Sequence, residues 1–389
     1  MTQKTQKLFY TDPYVSRAEC TVLSADFTDG NTVLTLDATP FFPGGGGQER
    51  DSGSIDGCEI INTYEKDGVV YHVLPGTLPV NAGDTVVCIA DAQSRFYRMQ
   101  AHTGEHIFSG IACRDFGVNN VGFHMDGTVM TVDFDKPLTT EQLNQTERKA
   151  NAAVWQNLPV QSVTVSPEQA GSLEFRSKIE FTGDVRIVTI PGVDSCACCA
   201  PHVKSTGEIG LILMLSAVSH RGGVRITLCC GKTAYEIAAR RYFQVKAVAG
   251  ALTVAQDELL EGFEAFVKKT DEIKTEKSRL ETRLCLDAIK SIQIKKGFTV
   301  TVTDLSAGQL NRAAALIYEK ADYPVVLLSG DDKNGYAYII TAKNYPLKDK
   351  IKQINASLNG RGGGKNEAVR GVFSATLSDI KKYFEELPL

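Results

Sequence analysis

Residues 101–109 read Ala-His-Thr-Gly-Glu-His-Ile-Phe-Ser and place His102 and His106, two of six histidines, four positions apart. Apolar residues recur around them at spacings of three and four, a pattern that predicts a helix in spite of Gly110. Because residues i and i+4 share one helix face, both imidazoles can point at one spot. Two histidines alone do not make a metal site, since such pairs also occur on ordinary helix surfaces and in helix cores.

A second pair spaced by four, Cys198 and His202, could supply the remaining ligands of a metal site. Thiolate and imidazole are ligands that Zn²⁺ prefers, so the two pairs together could close a tetrahedral zinc site. Cys196 and Cys199 also form a CxxC pattern, which could indicate redox chemistry or a shifted ligand set. The spacing of four favours Cys198 as the ligand.

Four consecutive glycines, Gly44 to Gly47, form a third motif between Thr39 and Gln48. A segment without Cβ atoms lets a ligand approach closely and lets backbone amides point at it. A flexible turn is the plain alternative. However, Thr39 and Gln48 add polar side chains that a turn does not need.

Together these motifs resemble the editing domain of alanyl-tRNA synthetases and its free-standing relatives, the AlaX trans-editing proteins. The glycine-rich block at residues 37–53, the histidine pair and the segment 198–210 occur in the family's order. Residues 222–228 resemble the strand that ends the family's editing module, so the resemblance covers about residues 9–235. Cys199 departs from the pattern, because the family commonly has glycine at this position.

The resemblance implies a hydrolase that deacylates mischarged tRNA(Ala), chiefly Ser-tRNA(Ala), with Gly-tRNA(Ala) as a second candidate substrate. Such editing is needed because a synthetase pocket built for a methyl group rejects an added hydroxyl by only about a hundredfold. The resemblance assigns zinc binding and catalysis to His102, His106, Cys198 and His202. It assigns substrate contacts to Thr39 beside the aminoacyl group, and to Gly45, Gly46, Gly47 and Gln48 in the pocket wall and near the tRNA 3′ end.

The fold class expected from the sequence is α+β. A chain of 389 residues with 43% hydrophobic composition can form two or three domains. Alternating apolar and polar residues predict a small β-barrel-like subdomain over residues 1–91, which carries the glycine motif. The resemblance makes residues 92–232 a two-layer α/β editing domain that contains the zinc. Because the β-rich segment begins almost at the amino terminus, we expect editing in trans.

Residues 233–296 are predicted to form a helical or coiled-coil linker. Apolar residues fall near a heptad seam, which favours one long helix or a helical hairpin. Gly250 and Gly262 are predicted positions for a break. The seam could pair with a second subunit as a homodimer or pack on its own chain. The seam residues are Leu252, Leu259, Phe263, Phe266, Ile273, Leu280 and Leu284.

Residues 297–389 alternate strand and helix patterns and predict a compact α/β domain. Between Lys343 and Arg370, seven Lys or Arg face two acidic residues, which gives a local charge of +5. This segment contains glycine-rich residues 360–364 and resembles the carboxy-terminal domain that alanyl-tRNA synthetases share with some DHH-type phosphoesterases. The resemblance makes Arg361 and Lys365 candidate tRNA contacts. A solvated basic loop is the alternative.

Overall composition limits the partners and the compartment. The net charge of −4 argues against a broadly basic surface, so a nucleic acid would be held by a local patch. No signal peptide and no run of eighteen apolar residues is present, and ten cysteines without an export signal are expected to stay reduced. We therefore expect a cytoplasmic protein with no membrane partner.

Two other functions fit parts of the sequence. Residues 102–106 also match the HxxEH pattern of zinc metallopeptidases, in which Glu105 would be the general base and Cys198 and His202 would be idle. A zinc ion with four protein ligands is more typical of a structural site than of a catalytic one. The chain could therefore be a non-catalytic, zinc-containing tRNA-binding adaptor.

Overall fold

The computed structural model describes residues 3–177 and 183–389. The chain divides into two compact units, Met1–Gln244 and Val245–Leu389. Helices and several sheets occur together, so the predicted α+β class is confirmed. The finer division into four domains stays a prediction.

The amino-terminal part of the first unit consists mainly of strands. Its elements are β1 (Gln6–Lys7), α1 (Leu8–Thr11), β2 (Arg17–Thr28), β3 (Asn31–Leu36), β4 (Ala38–Thr39), β5 (Gly53–Ile55), β6 (Cys58–Glu59), β7 (Asn62–Lys66), β8 (Val69–Pro75) and β9 (Thr85–Ala90). Seven strands form a curled half-barrel sheet in the order β6-β5-β9-β2-β3-β8-β7, while β1 and β4 pair in parallel. Leu34, Leu36 and Phe41 are buried in its core.

The rest of the first unit contains a long helix and two smaller sheets. Its last helix, α5, begins in this unit and ends beyond Gln244. The elements are α2 (Ala92–Phe116), β10 (Asn120–Asp126), β11 (Val129–Phe134), α3 (Thr140–Trp155), β12 (Gln161–Val165), α4 (Pro167–Ala170), β13 (Val185–Ile190), β14 (Asp194–Ala197), β15 (Ile212–His220), β16 (Gly223–Cys230) and α5 (Gly231–Leu252). The sheets run β10-β11-β16-β15 and β12-β13-β14. Ile107 and Phe108 of α2 share a buried core with Ile226 and Leu228 of β16.

Helix α2 begins and ends at residues whose chemistry favours those boundaries. The Asp91 side chain accepts hydrogen bonds from the backbone N–H groups of Gln93 (3.1 Å) and Ser94 (3.0 Å), which satisfies donors that a helix start leaves unpaired. Gly117 ends the helix at φ 63°, the left-handed conformation that glycine adopts without a Cβ clash. The predicted helix around the histidine pair is confirmed.

The predicted helical segment contains a break, but not at either glycine named above. Helix α5 ends at Leu252 and helix α6 (Leu259–Lys290) follows a turn in which Thr253 has φ 59°. Gly250 and Gly262 both lie inside helices, so that prediction was wrong. Gly262 is required by packing, because a Cβ there would lie 2.8 Å from Cγ1 of Val254.

The rest of the second unit is a five-stranded sheet with three helices. Its elements are β17 (Thr299–Val302), α7 (Ala307–Lys320), β18 (Val325–Asp331), β19 (Gly335–Thr341), α8 (Leu347–Ser357), β20 (Gly360–Gly364), β21 (Ala368–Phe373) and α9 (Leu377–Glu386). The strand order is β17-β18-β19-β21-β20. Tyr338 and Phe373 stack in the core with ring centroids 3.8 Å apart.

The glycine-rich residues 360–364 form an edge strand, which corrects the alternative of a basic loop. Glycine is depleted in strands, so its pattern gave no strand signal. Here it allows close pairing with β21, since a Cβ on Gly362 would lie 2.2 Å from the carbonyl oxygen of Arg370. Across the described ranges, we find no helix whose length and apolar character would let it cross a membrane.

Candidate metal centre

Helix α2 buries both histidines of the first pair and brings them close to strand β14. His102 and His106 are 2% and 3% exposed. A Cβ on Gly110 would lie 2.7 Å from the Asp194 Cβ and 2.7 Å from the Val193 carbonyl oxygen. Glycine at 110 therefore lets α2 approach β14 closely enough for Asp194 to reach His106.

The structure brings His102, His106, Cys198 and His202 together. Their candidate ligand atoms all lie within 4.8 Å of one another. Cys198 Sγ lies 3.6 Å from His102 Nε2 and 3.3 Å from His202 Nε2. Zinc–sulfur and zinc–nitrogen bonds of ordinary length at a tetrahedral angle separate the two ligand atoms by about 3.5 Å. The donor set and its spacing therefore fit a zinc ion.

The second ring nitrogen of each histidine in this cluster is held by a fixed acceptor. The Nδ1 contacts are His102 to Gln48 Oε1 (2.8 Å), His106 to Asp194 Oδ2 (3.1 Å) and His202 to Thr103 Oγ1 (3.0 Å). Thr103 donates its own hydroxyl hydrogen to the Met99 carbonyl (2.7 Å), so it accepts from His202. Outer contacts of this kind fix the tautomer and ring orientation of metal-binding histidines and leave Nε2 for the metal.

The electrostatics favour a thiolate in this cluster. Burial alone would raise the pKa of the Cys198 thiol, but His102 and His202 outweigh burial and hold that pKa well below its usual range. Burial lowers the pKa of His202 to about 3, so His202 is neutral. Burial would also lower the pKa of His106, but Asp194 and Cys198 raise it well above its usual value. Metal binding at His106 would therefore release a proton.

Asp194 and Arg176 support the cluster, and no role was predicted for either residue from the sequence. Arg176 donates two hydrogen bonds to the Asp194 carboxylate, at 2.7 and 2.9 Å. Burial would raise the pKa of Asp194, but contacts with His106 and Arg176 lower it below its usual range. Asp194 is therefore an ionised acceptor for His106. In the sequence, the only indication of a role for Asp194 was its position at the start of the segment that contains Cys198.

A cavity of about 560 Å³ opens beside this cluster. Its walls include Gly46 and Gly47, residues 120–123 of β10, Arg176 and Arg186, and residues 196–199. A Cβ on Gly47 would lie 2.6 Å from both Cδ1 and the carbonyl oxygen of Phe123, so only glycine lets this loop approach β10 so closely. Gly46 and Gly47 of the glycine block therefore form part of one cavity wall.

The Cys199 side chain lies next to the glycine loop. A Cβ on Gly45 would lie 3.3 Å from Cys199 Sγ, and one on Gly46 would lie 3.5 Å from it. The ligand cluster contains Cys198 but not Cys199, whose side chain lines the cavity. All ten cysteines are free thiols in this structure.

Thr39 is not among the described residues that line this cavity. Its side chain is fully buried, and its Oγ1 lies 2.8 Å from His72 Nε2. Burial lowers the pKa of His72 to about 4, so the ring is neutral. His72 Nδ1 faces the Leu34 carbonyl oxygen at 3.4 Å, which leaves Nε2 to accept from the Thr39 hydroxyl. Contact between Thr39 and an aminoacyl group stays a prediction.

Arg361 and Lys365 belong to the second unit, where both are exposed. Arg361 lines a concave surface of about 510 Å³ together with Asn311 and Arg370. Lys365 lines a second depression that also includes Arg370. Basic side chains therefore border both depressions.

Comparisons with known proteins match both units. Residues 185–227 match the "Threonyl and Alanyl tRNA synthetase second additional domain", and residues 295–387 match the DHHA1 domain. The alanyl-tRNA editing protein AlaX-L of Pyrococcus horikoshii is 25% identical, over 96% of each chain. Alanine–tRNA ligases of Ignicoccus hospitalis and Methanoregula boonei are 24% and 29% identical over 93% and 94% of this chain. The chain spans only 40% and 41% of those ligases. The resemblance to AlaX proteins and alanyl-tRNA synthetases is confirmed.

Proposed function

We propose that this chain is a zinc-dependent deacylase that edits mischarged tRNA(Ala). The observation that carries the proposal is the cluster of His102, His106, Cys198 and His202 beside a 560 Å³ cavity. It lies in a chain that aligns along 96% of its length with an alanyl-tRNA editing protein. The cavity has the volume of ordinary small-ligand sites, enough for an aminoacyl group and part of a terminal nucleotide. Translation takes place in the cytoplasm, where we place the protein.

The four residues of the cluster are proposed to hold the metal and orient the ester. A bound zinc ion would supply Lewis-acid polarisation of the ester carbonyl and would make nearby water more acidic. Asp194 and Thr103 fix the imidazoles of His106 and His202, so the geometry exists before substrate binds. Preformed geometry of this kind is what an ester hydrolase needs.

Gln48 is proposed to contact the substrate directly. Its Oε1 accepts from His102, and the side chain is 3% exposed. Within residues 3–177 and 183–389, its Nε2 has no hydrogen-bond partner. A buried donor without a partner is unfavourable unless a ligand supplies an acceptor. An oxygen of the terminal ribose or of its ester would satisfy it, and Gly45, Gly46 and Gly47 would pass close to the same group.

The arrangement argues against the metallopeptidase alternative. In this structure Cys198 and His202 complete the cluster, whereas the HxxEH reading leaves them idle. The adaptor alternative shares the metal site and differs only in activity.

Incubation of the purified protein with Ser-tRNA(Ala), Gly-tRNA(Ala), Ala-tRNA(Ala) and casein separates all three functions. We expect release of serine and glycine, little release of alanine and no cleavage of casein; intact mischarged tRNA would overturn the proposal.

Thr39→Val tests whether Thr39 acts on the substrate or on His72. We expect the free energy of unfolding to fall by about 1–3 kcal/mol, because His72 Nε2 loses its buried partner. Thermal and denaturant unfolding measure this loss, and Thr39→Ser is the matched control that keeps the hydroxyl. Unchanged stability with a selective loss of Ser-tRNA(Ala) hydrolysis would instead support the contact expected from the sequence.

The basic segment of the second unit is proposed to bind the tRNA backbone. Replacing Arg361 and Lys365 by alanine is expected to raise KM for mischarged tRNA, with kcat nearly unchanged. Because each phosphate contact contributes about one unit to the salt dependence of binding, the slope should fall by roughly one to two. The control replaces Lys381 and Lys382, which are also exposed in this unit but lie outside the segment. Equal effects of both double variants would contradict a specific tRNA site.

Self-association through α6 also stays a proposal. Phe263, Phe266, Ile273, Leu280 and Leu284 are all exposed on this helix. Their near-heptad spacing is typical of a helix that pairs with a second copy.

A further inference from the structure

Glu105 is a buried carboxylate in the wall of the cavity, and no described cation pairs with it. The side chain is 4% exposed, and its Oε1 accepts hydrogen bonds from Ser109 Oγ (2.5 Å) and Asn120 Nδ2 (2.5 Å). Both donors are neutral. In the part of the chain that the structure describes, no Lys, Arg or His nitrogen lies within 4.0 Å of this carboxylate.

The other charged groups of the cavity are already satisfied or exposed. Asp194 is paired with Arg176 and His106. Arg186 donates to the carbonyl oxygens of Cys198 and Ala200, at 3.0 and 2.8 Å. Burial of an ionised carboxylate is unfavourable unless a positive charge and hydrogen bonds compensate it. Arg176 attracts Glu105 from beyond ion-pair distance, but its guanidinium is already paired with Asp194. Glu105 therefore lacks a described cation in direct contact, and a cationic ligand in the cavity would supply one.

Neutral contacts also hold the Glu105 carboxylate in place. Asn120 Nδ2 lies 3.0 Å from Ser109 Oγ, so the three side chains form one closed hydrogen-bonded group. Both contacts to Glu105 engage the same oxygen, Oε1. The second carboxylate oxygen, Oε2, takes no part in these contacts and can accept a hydrogen bond from a ligand. A fixed carboxylate can select a ligand by charge and by position.

We propose that Glu105 binds the α-ammonium group of the aminoacyl ester, so that the cavity selects esters with a free amino group. The inference rests on the proposed deacylase function and deepens it. In such an ester the ammonium nitrogen lies about 2.5 Å from the carbonyl carbon. A group that recognises it must therefore stand beside the residues that hold the ester. Glu105 directly precedes His106 and lines the same cavity as His102.

A role in binding ammonium differs in its consequences from a role as general base. A general base acts on every ester that the site hydrolyses, because it removes a proton from the attacking water. An ammonium-binding group acts only on esters that carry the positive charge. Ser-tRNA(Ala) and its 2-hydroxy analogue, in which a hydroxyl replaces the ammonium group, have nearly the same size and separate the two roles.

The test compares both esters on the wild type and on Glu105→Gln, with each rate divided by the spontaneous hydrolysis rate of the same ester. The wild type should prefer Ser-tRNA(Ala) in normalised kcat/KM by roughly 10- to 100-fold, the size expected for a hydrogen bond between charged groups. E105Q should lose that preference through slower hydrolysis of Ser-tRNA(Ala) alone. Glu105→Asp should restore part of it. Asp184→Asn, at an exposed carboxylate in the same cavity wall, should leave the ratio unchanged.

Each other outcome is decisive. Equal loss on both esters in E105Q, or a preference that persists in E105Q, would overturn ammonium binding. If E105Q does not fold, as judged by zinc content and thermal unfolding, the wild-type ratio decides, and a ratio near one overturns the proposal. If the wild type hydrolyses neither ester, the proposed deacylase function itself fails, which is a distinct result.

Discussion

Replacing Cys198 by alanine is expected to remove the zinc from the purified protein and to abolish deacylation of Ser-tRNA(Ala). Cys198 Sγ is the atom of the cluster that contacts both His102 and His202, and its low pKa would make it the anionic ligand of a bound zinc ion. Loss of one outer hydrogen-bond partner typically lowers metal affinity or activity by about 10- to 100-fold. Loss of a direct ligand should lower metal affinity and activity by more than this factor. Elemental analysis should fall from about one zinc per chain to near zero, and His102→Ala should behave in the same way.

Cys199→Ala provides the matched control for this prediction. The two thiols are adjacent in the sequence, but only Cys198 belongs to the ligand cluster. The Cys199 variant should retain its full zinc content. Full zinc in the Cys198 variant, or loss of zinc in the Cys199 variant, would show that the ligand set is wrong.

The proximity of His102 and His106 could be predicted from sequence because it depends on local helix geometry. His102 and His106 lie on one helix, where a spacing of four fixes their common face. The resemblance to a known family then joined them to Cys198 and His202. No local pattern reveals Asp194, Arg176 or Thr103, because their roles depend on contacts formed only when β14 and its neighbours meet α2. Such contacts are properties of the tertiary fold.

Glycine caused most of the differences between expectation and structure. Propensity predicts a helix break at Gly262, yet packing against Val254 keeps this glycine within α6. The same reasoning gives no strand at residues 360–364, although close pairing with β21 makes one. In both places a neighbouring backbone or side chain occupies the space of the missing Cβ. Sequence patterns report average preference and not this local crowding.

The contact between Thr39 and His72 shows a second limit of prediction from sequence. Resemblance transfers a role to a position, but the partner of a side chain depends on which groups surround it. Here His72, from a strand 33 residues away, takes the Thr39 hydroxyl. The sequence offered no signal for this pair, since neither residue lies in a common local motif.

Asp51→Asn, a substitution outside the metal cluster, is expected to produce a large loss of stability. Asp51 and Arg95 are 1% and 2% exposed and form a buried ion pair through Oδ2. The same Oδ2 accepts from the backbone N–H of Phe42 at 2.7 Å. Arg95 also donates to the carbonyl oxygens of Val15 (2.8 Å) and Pro40 (2.5 Å). Leaving the guanidinium buried without its carboxylate should lower the free energy of unfolding by about 3–5 kcal/mol, measured by denaturant unfolding.

The position of this pair gives the substitution a second consequence. Phe42 and Asp51 flank the glycine loop, and Arg95 lies in the first turn of the helix that carries His102. Weakening the pair should therefore also lower zinc retention at elevated temperature. Glu141→Gln is the control, because its ion pair with Arg148 is mostly exposed, and surface pairs contribute about 0–1 kcal/mol.

The double variant Asp51→Leu with Arg95→Met shows why Asp51→Asn loses stability. The cause is either the lost attraction between the two side chains or the Arg95 charge that remains buried without a partner. Replacing both members of a buried ion pair by apolar residues of similar volume is often neutral or stabilising, whereas removing one member is strongly destabilising. We therefore expect the double variant to be more stable than Asp51→Asn, although the Phe42 N–H still loses its acceptor. A double variant as unstable as Asp51→Asn would show that the hydrogen bonds at Phe42, Val15 and Pro40 dominate. The pair would then stabilise the glycine loop through backbone contacts and not through its charges.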